Sequence, residues 1–136
     1  MRRAGFWIGL ALLLTAAGCT AGAPRSTSAP TAGERGACVQ LYVFYATWCP
    51  QCRYIKPEAL RLGQEEASRV KVTLMLADSP EAQTLRDRYA VRCLPAFVVV
   101  DPGGRPLSPV RCGYIGYEGL KAMVQEAARA AGCSGS

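Results

Sequence analysis

The sequence predicts an α/β domain in which a central four-stranded mixed sheet is flanked by helices, with the elements in the order βαβαββα. Three observations carry this prediction. Residues 41–45, Leu-Tyr-Val-Phe-Tyr, are an apolar, β-branched and aromatic run of strand length, as a strand covered on both faces requires. That run leads directly into Cys49-Pro-Gln-Cys52 and then into a helical pattern. Downstream, strand and helix patterns alternate until two strand-like runs are joined by Asp101-Pro-Gly-Gly-Arg-Pro106, a turn-rich connection.

Taken in order, residues 1–18 read as a signal peptide, with Arg2 and Arg3 ahead of an apolar run that ends in small residues. The run is too short for a confident membrane span. Residues 19–36 are small, polar and rich in Pro and Gly, without periodicity, which is the composition of a flexible tether. The domain is expected over residues 37–136. Its elements are a strand at 39–46, a helix at 51–67, a strand at 70–77, a helix at 80–89, strands at 96–100 and 110–114, and a closing helix at 117–131. Pro80 after Asp78-Ser79 suits a capped first helical turn. A chain of 136 residues, 50% of them hydrophobic, has material for one core.

The formal net charge is +6, but the basic residues are scattered rather than gathered on one face, and no phosphate loop or nucleic-acid motif is present. Lys56 and Arg53 belong to this scatter and read as solvated surface. A weak attraction to an anionic membrane is the other reading of the charge.

Cys49 and Cys52 sit where a strand ends and a helix begins. There, unpaired N–H groups and the positive dipole end favour a thiolate, so Cys49 is expected below the ~8.5 of a free thiol. Cys52, one turn later, is placed to resolve a mixed disulfide. Zinc would need a second Cys-x-x-Cys or a Cys/His pair, and the chain has no histidine. A merely structural bridge over so short a span is geometrically poor.

The stretch Trp48-Cys49-Pro50-Gln51-Cys52, with Pro57 five residues on, resembles the active site of the thioredoxin superfamily. Arg92-Cys93-Leu94-Pro95-Ala96-Phe97 resembles the loop that presents a cis-proline to that dithiol. The resemblance implies a minimal thioredoxin fold and thiol–disulfide exchange, with Cys49 as nucleophile and Cys52 as resolving thiol. It makes Pro95 the substrate-docking cis-proline, with Trp48, Pro50 and Leu94 beside it. No metal or other cofactor is implied. Many relatives carry a buried Asp six residues before the first active-site Cys, and here that position is Val43. The Pro50-Gln51 pair also lacks the His of strongly oxidising members.

Ala16-Ala17-Gly18-Cys19 resembles a bacterial lipobox, which makes Cys19 a lipidation site. An ordinary secretory signal or an uncleaved anchor are the alternatives. Each places the domain outside the cytoplasm. The combination resembles membrane-tethered oxidoreductases that reduce apocytochrome c or other exported proteins with electrons from a membrane thiol transporter. An oxidase or isomerase of exported proteins is the alternative within the class. A binding module that holds peptide or metal without turnover is the alternative outside it.

Seven cysteines fit an oxidising compartment. With Cys19, Cys49 and Cys52 assigned, Cys38, Cys93, Cys112 and Cys133 allow three pairings. Folding the hairpin about Gly103-Gly104 makes Cys93 and Cys112 neighbours and leaves Cys38 for Cys133. Under the loop-entropy account such bridges contribute about 3 and about 4.7 kcal/mol respectively. The competing reading places Cys93 near the dithiol, where it takes part in chemistry or dimerisation.

Overall fold

The computed structural model describes residues 37–133. The expected signal, lipidation site and tether at 1–36 lie outside the described residues. The elements are β1 (Val39–Tyr45), α1 (Cys52–Glu65), β2 (Val70–Leu76), α2 (Pro80–Arg88), β3 (Ala96–Val100), β4 (Arg111–Cys112) and α3 (Gly116–Ala130). The strands lie in the order β2-β1-β3-β4. β1 runs parallel to β2 and antiparallel to β3, and β3 is antiparallel to β4.

Side-chain alternation along the central strands divides the interior into two layers. Val39, Leu41 and Val43 of β1 and Phe97 and Val99 of β3 face one side. There they pack with Ile55, Ala59 and Leu62 of α1 and with Leu120, Met123, Val124, Ala127 and Ala128 of α3. Phe44, Ala96, Val98 and Val100 face the other side, under Ala82 of α2 and Val91. Every residue of β3 is therefore buried, which explains a sequence with no polar position between Ala96 and Val100. Helices cover both faces, so β3 and residues 41–45 of β1 read as continuous apolar runs.

Local chemistry sets the helix ends. Ser79 caps α2, its Oγ accepting from the Ala82 N–H at 3.2 Å, and Pro80 follows in the first turn. α1 stops at Glu65, short of the expected residue 67. The Glu66 N–H closes on the Leu62 carbonyl, and the Glu66 carbonyl then accepts from Arg69 and Val70, turning the chain into β2.

The fourth strand is shorter than expected, two residues instead of 110–114. Its ladder pairs Ala96 with Cys112 and Phe97 with Arg111, whereas Val100 bridges Pro106. The register therefore slips between the two, because Pro106 and Pro109 have no N–H to give. The Val99 N–H donates to the Ser108 hydroxyl at 3.0 Å, and the Leu107 N–H returns to the Val99 carbonyl at 2.7 Å. A serine side chain thus stands where a ladder carbonyl would.

Candidate functional site

β1 ends at Tyr45, whose carbonyl accepts from Ala77 just beyond β2 and so fixes the strand end at 2.8 Å. A tight turn follows, with the Cys49 N–H on the Ala46 carbonyl and the Cys52 N–H on the Cys49 carbonyl. α1 starts at Cys52 with Gln51 as its N-cap, so Cys49 precedes the helix and Cys52 is its first residue. Their sulfurs are bonded, with Cα atoms 5.3 Å apart, and the structure therefore describes the oxidised pair. Cys49 is 7% exposed and Cys52 1%. Cys49 is the more accessible of the two, but in this form even it is largely covered.

Ala46 forms a buried cluster with the two cysteines, and Tyr45 and Leu94 pack against that cluster. Trp48 stands out into solvent, 69% exposed, beside exposed Pro50. The Leu94–Pro95 peptide is cis, and Pro95 is buried, its carbonyl accepting from the Gly113 N–H at 2.9 Å. Leu94 is the contact through which the two sequence motifs meet. Tyr114, next to Gly113, reaches across to α1, where its hydroxyl donates to Glu58 Oε1 at 2.7 Å. This bond raises the Tyr114 phenol above its ordinary value, because ionisation would remove the donated proton beside a carboxylate.

The remaining cysteines fall at two other places. Cys93 is bonded to Cys112, with Cα atoms 5.7 Å apart. Cys112 is exposed on β4 opposite Ala96, and Cys93 is half-buried. Cys38 is bonded to Cys133 across a sequence separation of 95, joining the start of β1 to the end of α3. Both pack against the larger core layer. Cys19 lies outside the described residues.

Val43, where many relatives carry a carboxylate, is fully buried in the core, and among the described residues no polar or charged side chain is buried. A crevice of about 200 Å³ opens instead beside the inner sulfur, lined by Tyr45, Ala46, Thr47, Cys52, Arg53 and Lys56. The Lys56 Nζ lies 5.3 Å from the Tyr45 ring centroid. The sequence reading missed Lys56 and Tyr114. Lys56 carried a readable signal, its spacing of one helical turn from Cys52. Among the described residues no group of three or more His, Cys, Asp or Glu could hold a metal ion.

The family model described as Thioredoxin matches residues 37–126. This chain belongs to the thioredoxin family. Human protein disulfide-isomerase A6 is 32% identical over 71 residues, covering 51% of this chain and 16% of that protein. The chloroplastic thioredoxin-like protein HCF164 of Oryza sativa subsp. japonica is 30% identical over 61 residues, covering 45% and 23%. Thioredoxin H3 of Arabidopsis thaliana is 32% identical over 60 residues, covering 44% and 48%. The matches thus span less than half of each relative's length. Among solved structures, a malaria-parasite thioredoxin-2, described as a component of protein secretion machinery, superposes with a TM-score of 0.56. It is 20% identical and covers 65% of this chain and 82% of its own, a likeness of fold. Thiol–disulfide oxidoreductase chemistry is the chemistry of the family, and the adjacent Cys49 and Cys52 are equipped for it.

Proposed function

We propose that this chain is a membrane-tethered, extracytoplasmic thiol–disulfide oxidoreductase that reduces disulfides in exported proteins. One observation carries the reading: the cluster that holds the cysteine pair after β1 packs against the Leu94 that precedes cis Pro95. In the reduced form the Cys49 thiolate attacks one sulfur of a substrate disulfide, and the other substrate sulfur leaves with the electron pair and is protonated. Cys52 then attacks Cys49, releasing the second substrate thiol and leaving Cys49–Cys52 oxidised. A dithiol donor, such as a membrane thiol-electron transporter, must return the two electrons.

Trp48, Pro50, Leu94 and Pro95 form the substrate-facing surface in this reading. The Pro95 carbonyl is already bonded to Gly113, and no described residue hydrogen-bonds the Leu94 backbone. Leu94 is thus the position at which a substrate strand would add. The Cys93–Cys112 and Cys38–Cys133 bridges act as staples, and Cys19 carries the lipid.

Similarity to protein disulfide-isomerase A6 favours a second reading within the class, oxidation or isomerisation of exported proteins. Equilibrating the pair against glutathione buffers separates the two. A midpoint near the roughly −270 mV of reducing family members supports the reductant, and one near about −120 mV supports the oxidant. A chain that binds disulfide-bonded proteins yet never turns them over would overturn both and leave a binding module.

A further inference from the structure

The resolving step needs Cys52 as a thiolate, yet Cys52 is 1% exposed and burial opposes its ionisation. Val43 offers no carboxylate to take the proton. The wall of the crevice beside Cys52 carries no acid either. From α1 it presents Arg53 and Lys56, and from the end of β1 and the following turn it presents Tyr45, Ala46 and Thr47. Leu94 packs against the cluster of Ala46, Cys49 and Cys52 from the loop before β3, and the other sulfur is that of Cys49. The charged groups facing Cys52 are therefore both cations.

They are not equivalent. The Arg53 guanidinium is turned to Tyr54, with Nη2 donating to the Tyr54 hydroxyl at 3.1 Å and the group 5.0 Å from that ring's centroid. Lys56 instead holds its ammonium over the ring of Tyr45, a residue that packs against the cluster of Ala46, Cys49 and Cys52 and lines the same crevice as Cys52. Cys52 and Lys56 lie one turn apart on one face of α1.

On the proposed exchange function, we propose that Lys56 is the electrostatic partner of the resolving thiol, its ammonium held at the mouth of the Cys52 crevice by Tyr45. The cation favours the Cys52 thiolate, lowering that thiol against the rise that burial imposes. The proton leaves to solvent through the crevice rather than to a buried carboxylate. The thiolate attacks Cys49 Sγ, and the Cys49–Cys52 bond forms as the bond from Cys49 to the substrate sulfur breaks. The substrate sulfur leaves with the electron pair and takes a proton, so the cysteine pair loses two electrons and the substrate gains two.

The test titrates Cys52 itself. In the full chain, thiolate absorbance is followed against pH in Cys49→Ser, and the same curve from Cys49→Ser/Cys52→Ser is subtracted, which isolates one sulfur whatever its accessibility. Lys56→Gln should reduce the Cys52 thiolate fraction at neutral pH about 3-fold and Lys56→Glu about 10-fold, a modest size because Lys56 is exposed and screened. Lys56→Arg should restore the curve, and added salt should shrink the difference. Coincident curves for Lys56 and its Gln and Glu variants would overturn the proposal. So would an Arg53→Gln shift as large as that of Lys56→Gln. The titration needs no substrate, so it reports on Lys56 even if the chain with both cysteines fails to turn over a disulfide protein, an outcome that counts against the exchange function alone.

Discussion

Leu94 packs against the cluster of Ala46, Cys49 and Cys52 from a loop distant in sequence, and it does so one residue before cis Pro95. The side chain packs beside the sulfurs, and in the proposed function the backbone next to it receives the substrate strand. Leu94→Ala should uncover Cys49 and loosen that backbone. It should lower kcat/KM for a disulfide-bonded protein roughly 10-fold, about 1.4 kcal/mol of transition-state stabilisation. A small disulfide, which needs no docking strand, should react at a rate within about 2-fold of the parent's. Equal losses on both substrates would mean that Leu94 acts only through the structure of the turn.

The two sulfurs should separate by role. In the reduced chain Cys49, the less buried of the pair, should alkylate faster than Cys52 near neutral pH. Cys49→Ser should abolish exchange, and Cys52→Ser should accumulate mixed disulfides with substrates, read by mass mapping. Equal alkylation rates would contradict this division.

The element order was legible because the apolar pattern changes period where strands give way to helices, and β3 declared itself by having no polar residue. The end of the sheet was less legible. Pro106 and Pro109 are visible in the sequence, but the register slip they cause depends on Ser108 reaching the Val99 N–H, a contact made only after folding. At the site, the motif residues were legible and their electrostatic setting was not. An exposed lysine reads as solvated surface until Tyr45 is seen to hold it beside the Cys52 crevice. Tyr114 and Glu58 likewise meet only through tertiary structure.

The contact between α1 and α3 should depend on pH. Glu65 accepts hydrogen bonds from the Tyr117 hydroxyl and from Arg61 Nε, and these hold its carboxyl below the ordinary range, Tyr117 contributing most. A depressed folded-state value means that the stabilisation is present above the ordinary carboxyl range and lost as pH falls through the folded value. The same bond raises the Tyr117 phenol, so its share is lost on the alkaline side. Tyr117→Phe should therefore lower Tm slightly at neutral pH and leave it unchanged in acid, where Glu65 is protonated. A Tm difference that persists in acid would assign the effect to packing.

The proposed anchor gives a prediction on the cell. Cys19→Ala should abolish lipid attachment and move the chain from the membrane to the soluble extracytoplasmic fraction, followed by fractionation and mass spectrometry. A variant that stays with membranes would point to an uncleaved apolar segment.

The Cys38–Cys133 bridge and the Cys49–Cys52 pair differ by position. Cys38 enters β1 with its N–H on the Arg69 carbonyl, and Cys133 leaves α3 with its N–H on the Ala128 carbonyl. Their bridge lies at the opposite end of β1 from the Cys49–Cys52 pair. Seven residues of strand at ~3.3 Å each put roughly 20 Å between them. Because the bridge closes a separation of 95 residues, its loss should cost about 2–5 kcal/mol of stability, mainly by freeing the unfolded chain. Cys38→Ala/Cys133→Ala should thus unfold at a clearly lower temperature, yet exchange at the parent rate in conditions where it remains folded. Mild reductant on the parent chain should open Cys49–Cys52 before either remaining bridge, since structural bridges of exported proteins lie below about −300 mV. Recovering Cys93 linked to Cys49 during turnover would instead make Cys93 a third redox residue, and its exposed partner Cys112 the leaving sulfur of that exchange.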